Sequence, residues 1–285
     1  MSYFELLSSL ELGLIYGITA LGICLTFRII DFPDLTCDGS FVLGAAVAAV
    51  LLKLGYNPIF ALCIAALAGG IAGLGTGVLH VYFKMTNLLA GILMAFMLYS
   101  INLKVMQGIP NIALLNTETM FTWGNPFFSL CAVAAIVWAA ISFILSTDFG
   151  LALRSIGQNK RLAVNCGVQI SFMTILALIL SNALIAFSGA LFCQHQGFAD
   201  VSQGVGTIII GLAAVMIGEK LLPSRSIWYS MFACILGSIV YRILVAAALH
   251  SEWLGLQTQD LNLITGGMVV AVMLMPTLGV RKQNA

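Results

Sequence analysis

The residues of this sequence that could bind or gate a solute are few, and they fall into two clusters. Asp31, Asp34 and Asp38, with Thr36, Gly39 and Ser40 among them, stand between runs that are otherwise apolar. Asp200 and Ser202, followed by Gly204, form a second polar interruption. A carboxylate and a hydroxyl beside a helix start can accept hydrogen bonds from the N–H groups that an interrupted helix leaves free. Two readings of the first cluster follow. It is a turn in which Pro33 stops one helix and Asp38 caps the next, or a broken helix whose ends line a translocation path. Catalytic and metal chemistry finds less support. His80, His195 and His250 are dispersed, with no HExxH pattern, and neither Ser188-Gly189 nor Gly39-Ser40 belongs to a G-x-S-x-G elbow. His195 at the end of an apolar run reads as a satisfied structural histidine. No phosphate loop of the G-x-x-x-x-G-K-[ST] type is present: the nearest fragment, Gly211 to Gly218-Glu219-Lys220, lacks the hydroxyl residue. The sequence therefore reads as a non-enzyme with no cofactor and no metal, and any ATP hydrolysis must reside on another chain.

The elements that position these clusters are set by composition. Hydrophobic residues make up 61% of the 285, and charged residues 8%, where a soluble domain carries about 25%. A soluble fold would present an aggregating apolar surface, so lipid is the expected solvent. The net charge of +1 gives no basic field for nucleic acid. The seven cysteines, Cys24, Cys37, Cys63, Cys131, Cys166, Cys193 and Cys234, form no CxxC pair and read as small apolar residues. Glu5 and Glu11 stand where a cleaved signal peptide would carry basic residues, so the first run reads as a retained span.

Apolar runs predict spanning helices near 6–28, 39–54, 58–80, 88–106, 127–146, 169–192, 204–218, 226–249 and 261–280. They are continuous rather than alternating, which excludes barrel strands. The predicted fold is all-α: a polytopic membrane protein of about nine transmembrane helices, in one domain over 1–285. Alternating the spans back from a cytoplasmic Arg281 and Lys282 puts Arg28, Lys84, Arg154, Lys160, Arg161, Lys220 and Arg225 on the same side, with only Lys53 and Lys104 opposite. By the positive-inside rule the first side is cytoplasmic and the N-terminus is outside. Glu118, Asp200, Glu252 and Asp260 then fall in outer loops.

The two polar clusters also resemble each other. Phe32-x-Asp34-Leu35-Thr36 and Phe198-x-Asp200-Val201-Ser202 each precede a Gly and a helix start rich in small residues, and each follows a run containing a Gly, Gly22 or Gly189. An odd number of spans separates them. The chain is therefore expected to contain an inverted repeat, with halves over about 6–130 and 169–280. The short runs 39–54 and 204–218 mark its interrupted helices, a transporter signature. Gly69, Gly73 and Gly77 give a small-residue face for close helix packing, which we assign to a contact within the chain rather than to a dimer seam. Asn87, Asn102, Asn182, Gln194, Arg242 and Asn262 are the polar residues within spans, with Arg242 near enough to a span end to snorkel.

The segment 147–168 is longer than a connection requires. Thr147 or Asp148 can cap a short helix ended by Gly157, and Asn159 a second ended by Gly167. A helix pair with Arg154 and exposed apolar residues on the inner face reads as a docking element for a soluble partner, or as a loop resting on headgroups.

This segment, Thr147-Asp148-Phe149-Gly150-Leu151-Ala152-Leu153-Arg154-Ser155-Ile156-Gly157-Gln158-Asn159 with Ala163 and Gly167, resembles the coupling segment of ABC-importer permeases of the branched-chain amino acid and monosaccharide group. It departs at Ser155, where the family pattern has Ala. Leu14 to Gly22 resembles that family's first core helix, and Asp31 to Gly44 its polar interruption. The latter looks closer to an amino-acid subgroup, one that takes in aromatic amino acids, than to the sugar permeases. The resemblance implies an importer subunit in a bacterial inner membrane. Its partners would be two cytoplasmic ATPases, a second permease copy of the same or a different chain, and an extracytoplasmic substrate-binding protein. It implies ATPase coupling through Phe149, Gly150, Leu153, Arg154, Gly157, Asn159, Ala163 and Gly167. The translocation path would run by Asp34, Thr36, Gly39, Ser40, Asp200 and Ser202. An ion-coupled secondary transporter would share the repeat without needing 147–168. A sugar or nucleoside permease is the other alternative.

Overall fold

The computed structural model describes residues 3–115, 117–224, 226–249, 265–267 and 270. Arg225, His250, Glu252, Asp260, Asn262, Arg281, Lys282 and most of the expected span 261–280 lie outside the described residues.

Apolar continuity becomes helix nearly everywhere. The helices are α1 (Tyr3–Ile23), α2 (Cys37–Lys53), α3 (Pro58–Val81), α4 (Asn87–Val105), α5 (Pro126–Ser146), α6 (Asp148–Gln158), α7 (Lys160–Asn165), α8 (Ile170–Gln196), α9 (Thr207–Leu221) and α10 (Ile227–Leu249). Among the described residues six helices are long and apolar enough to cross a membrane: Phe4–Ile29, Pro58–Val81, Asn87–Val105, Pro126–Ser146, Ile170–Gln196 and Ile227–Leu249. α2 and α9, with 17 and 15 residues, reach only about 26 and 22 Å at 1.5 Å per residue, short of a ~30 Å hydrocarbon core. These are the two elements that the sequence marks as short. Strands β1 (Asn111–Ala113) and β2 (Phe198–Asp200) pair antiparallel, with Ile112 opposite Ala199.

The bundle has two distinguishable ends. At one, the β1–β2 ribbon packs with the end of α2, the start of α3 and the end of α8, through Leu52, Ala61, Met106, Ile112, Cys193 and Ala199. At the other lie α6 and α7, the end of α5 and the start of α8. Arg28, after α1, pairs there with Glu219 near the end of α9 at 2.5 Å. The basic residues sort between these ends as the sequence implies. Arg28, Lys84, Arg154, Lys160, Arg161 and Lys220 follow or precede helix ends on the α6–α7 side, and Lys53 and Lys104 on the ribbon side.

The glycine stripe on α3 seats that helix antiparallel on α8. A Cβ at Gly69 would lie 2.3 Å from the Asn182 carbonyl oxygen, and one at Gly73 2.2 Å from that of Leu178. Only residues without a Cβ permit so close an approach of backbones. The contact is within the chain, as expected.

Candidate functional site

The first interruption begins as a slackening of α1. Its last turn, Cys24–Ile29, is a π-helix, and the Phe32 amide reaches back to the Thr26 carbonyl at 2.8 Å. Asp31 then adopts a left-handed conformation, φ 52°, which a short acidic side chain tolerates better than most. From this exposed residue the chain turns inward over 32–36, and Asp34, Thr36 and Ser40 are fully buried.

Burial there requires every polar atom to find a partner, and the partners come from three helices. The Asp34 carboxyl accepts from the Thr36 backbone N–H at 2.9 Å and from Asn182 Nδ2 of α8 at 2.8 Å. Ser40 Oγ donates to Asn182 Oδ1 at 2.7 Å. Thr36 and Thr76 of α3 share a hydroxyl–hydroxyl bond of 2.8 Å. Asn102 of α4 donates to the Gly39 carbonyl at 3.1 Å. Asn182 is thus the hub that ties the broken segment to α8. Its identity as a polar residue within a span is visible in the sequence; its pairing with Asp34 across 148 positions is not.

Asp38 does not cap α2, contrary to the expectation from its spacing. It sits within the first turn of that helix and its carboxylate faces α9, accepting from the N–H groups of Gly206 at 3.2 Å and Ile208 at 2.9 Å. Gly206, at φ 86°, precedes α9, and a Cβ at Gly204 would lie 2.3 Å from the Asp38 carbonyl oxygen. The starts of α2 and α9 therefore meet within the bundle. From there α2 runs to the ribbon end and α9 to the α6–α7 end.

Asp200 and Ser202 are not brought to this meeting point. They lie at the ribbon end, where Asp200 is half-buried and Ser202 exposed. Their local turn nonetheless matches that of the first cluster. Asp200 Oδ1 accepts from the Ser202 N–H at 2.7 Å, as Asp34 Oδ1 does from Thr36. Asp200 also accepts from the Ser202 hydroxyl and from Asn111 Nδ2. The Ser202 hydrogen bond holds its carboxyl below the usual range. Residues 204–208, a few positions further on, are the ones that touch the first interruption.

At the α6–α7 end the expected helix pair is present. Asn159 accepts from the N–H groups of Arg161 and Leu162 and so caps α7, and Gly167 takes a left-handed φ of 83° beyond it. Gly157 does not end α6, which continues to Gln158. The glycine is needed for contact instead, because a Cβ there would lie 2.0 Å from the Ile29 carbonyl oxygen. Gly150 similarly seats α6 on the Leu145 carbonyl. Leu153 and Ala163 are fully buried, and Phe149 packs partly against the same core. They anchor the pair within the subunit, so Leu153 is not among the exposed apolar residues expected of this segment. Arg154 turns back to donate to the carbonyls of Gly150 at 3.2 Å and Leu145 at 3.3 Å. It lines a cavity of about 840 Å³ with Arg28, Gly157, Glu219 and Lys220. Leu151, Leu162 and Val164 remain exposed, at 60%, 58% and 56%.

A helical bundle with six span-length helices among the described residues, two short interior helices that begin side by side, and an anchored helix pair at one end is the architecture of a polytopic membrane protein. The chain belongs to the family described as branched-chain amino acid transport system / permease component, whose model matches residues 6–275. It is a permease of the ABC-importer type. It is 38% identical to the tyrosine transport system permease protein of Clostridioides difficile (strain R20291), over 98% of this chain and 95% of that one. It is 27% identical to the probable branched-chain amino acid transport permease protein LivH of Methanocaldococcus jannaschii, over 74% of each. In three dimensions it is similar to a chain of PsaBC from Streptococcus pneumoniae in complex with Fab, with a TM-score of 0.56 at 13% identity, covering 95% of this chain and 90% of that one. That likeness bears on the fold.

Proposed function

We propose that this chain carries an amino acid, an aromatic one such as tyrosine, across a bacterial inner membrane as the permease subunit of an ATP-driven importer. The C. difficile relative, matched over nearly the full length of both chains, supports the substrate class. The observation that carries the pathway is the meeting of α2 and α9 through Asp38. Two helices too short to span, starting together and running to opposite ends, fit an inverted repeat of about nine spans in a single domain, with halves over 6–130 and 169–280. The shared Asp-x-hydroxyl turn at Asp34 and Asp200 supports the same reading. A path between such half-helices is lined by Asp34, Thr36, Gly39 and Ser40, chiefly as groups that hold its shape, and Asp200 and Ser202 stand at its outer mouth.

ATP hydrolysis belongs to separate cytoplasmic subunits. They dock on the α6–α7 pair, with Leu151, Leu162 and Val164 as the apolar contact and Phe149, Gly150, Leu153, Gly157, Asn159, Ala163 and Gly167 as the frame. Arg154 stiffens the junction with α5. A second permease copy and an extracytoplasmic binding protein complete the assembly, and the basic α6–α7 end faces the cytoplasm. The substrate reading is tested by uptake of labelled tyrosine in cells whose own aromatic uptake systems are deleted. Accumulation competed by phenylalanine or tryptophan and not by ribose is expected. Competition by ribose or a nucleoside alone would overturn it.

A further inference from the structure

One cation, Arg242, stands inside a span. Arg242 lies on α10, about 10 Å before the end of that helix at 1.5 Å per residue. Its guanidinium sits over the Tyr16 ring of α1, 4.3 Å from the centroid. α1 and α10 run antiparallel here, with Gly13 against Ile239 and Gly17 against Ile235, so the pair is set within the bundle rather than at its rim. Tyr16 stacks on Phe41 of α2, centroids 5.7 Å apart and planes at 14°, and meets Phe192 of α8 edge-on at 5.9 Å. Phe41 lies one turn after Asp38 on α2, so the stacked ring pair sits beside the Asp38 carboxylate's turn of that helix. A cation over Tyr16 and an anion one turn before Phe41 thus bracket one stacked aromatic pair near where α2 and α9 begin. No ion pair joins Arg242 to Asp38, and Arg242 Nε is buried with no hydrogen-bond acceptor among the described residues.

This arrangement is costly unless something completes it. A guanidinium in a span is tolerated where it faces a partner or an aqueous cavity, and the ring of Tyr16 offsets only part of its desolvation. Asp38 uses one lone pair on each oxygen for α9 N–H groups and keeps others free. Separated opposite charges with an aromatic surface between them complement a zwitterion that carries a planar side chain.

We propose that Arg242, Tyr16 and Asp38 form the intramembrane subsite for the transported amino acid. Arg242 binds the α-carboxylate as a forked donor, Asp38 faces the α-ammonium, and Tyr16 with Phe192 receives the side-chain ring. The assignment rests on the amino-acid importer reading and adds to it the residues that recognise the solute within the permease.

The test uses the whole importer, with its ATPase and binding protein, in vesicles of phosphatidylcholine alone, so that no anionic lipid can stand in as the partner of Arg242. Uptake of labelled tyrosine is measured for the unaltered complex and for Arg242→Gln, Arg242→Lys and Tyr16→Leu. Arg242→Gln should lower uptake at least tenfold while the amount of assembled complex and its unfolding midpoint stay within error. Arg242→Lys should recover part of the loss, since it keeps the charge without the fork. Tyr16→Leu should reduce tyrosine uptake severalfold more than leucine uptake, where leucine is carried at all. Full uptake by Arg242→Gln would overturn the subsite. Equal loss in Gln and Lys variants together with a lowered unfolding midpoint would also overturn it, by showing Arg242 to be a structural lock. Failure of the unaltered complex to carry any amino acid would instead refute the importer reading, and the subsite with it.

Discussion

Replacing Asp34 separates a carboxyl group that shapes the pathway from one that meets the solute. In the structure it satisfies two buried donors, the Thr36 N–H at 2.9 Å and Asn182 Nδ2 at 2.8 Å, with no exposure to solvent. Asp34→Leu leaves the Thr36 N–H and one of the two Asn182 Nδ2 hydrogens unpaired, the other staying on the Leu178 carbonyl. Each costs ~1–3 kcal/mol, so the pair costs ~2–6 kcal/mol before relaxation. Asp34→Asn keeps an oxygen for the Thr36 N–H and turns an NH2 toward Asn182. Rotation of the Asn182 amide then restores that bond, the Ser40 hydroxyl turns from donor to acceptor of Nδ2, and the bond to the Leu178 carbonyl is lost, a net loss of about 1 kcal/mol. The assay is paired: the unfolding midpoint and monodisperse yield in detergent, and tyrosine uptake per folded molecule. Asp34→Leu should lose most of its folded yield. Asp34→Asn should fold with a slightly lowered midpoint and transport at near the unaltered rate. If Asp34→Leu is as stable as the parent, the hydrogen-bond argument is refuted. If Asp34→Asn folds normally yet does not transport, Asp34 touches the solute.

Gly73→Ala should abolish folding or cost at least ~1–3 kcal/mol of overpacking, since its Cβ would fall 2.2 Å from a backbone oxygen of α8. Gly70→Ala, three positions earlier with its nearest neighbour at 3.4 Å, should be neutral in the same thermal unfolding assay. Leu151→Asp combined with Leu162→Asp should strip the ATPase from the purified complex at least tenfold, as expected for two contact-centre residues worth ~1–2 kcal/mol each, while the permease remains folded. In a cysteine-free background with the outer barrier opened, Tyr56→Cys at the ribbon end should react with an impermeant thiol reagent and Lys160→Cys should not. The reverse pattern would invert the orientation.

Much of this architecture is legible in the sequence because membrane burial writes itself as continuous apolar runs. Eight of the predicted spans fall on helices whose ends agree within a few residues, down to the shortness of α2 and α9. One of the two expected local caps is legible too: Asn159 does what its spacing implies, because a cap is a contact over two or three residues, whereas at the start of α6 the Thr147 hydroxyl donates back to the Ile144 carbonyl and no side chain caps the helix. The misreadings are long-range. Asp38 has the position of an α2 cap, yet it serves α9, 170 residues away, because the two helix starts are brought together by the fold. Gly157 has the look of a helix stop but is an approach point for the Ile29 carbonyl. Leu153 faces inward for the same reason: the amphipathic pattern of α6 shows that one face is buried without saying against what. Tyr16 and Arg242 carry no sequence signal of their pairing, since it arises from the antiparallel register of α1 on α10.

Transport by this permease is proposed to be driven by ATP hydrolysed on a partner docked at α6–α7. It is tested most directly by tyrosine accumulation in proteoliposomes holding the permease with its ATPase, the binding protein outside and ATP inside. Accumulation should require ATP and vanish in the Leu151→Asp, Leu162→Asp variant, and should persist when sodium and proton gradients are collapsed by ionophores. Uptake by the permease alone, driven by an imposed ion gradient without ATP, would contradict it.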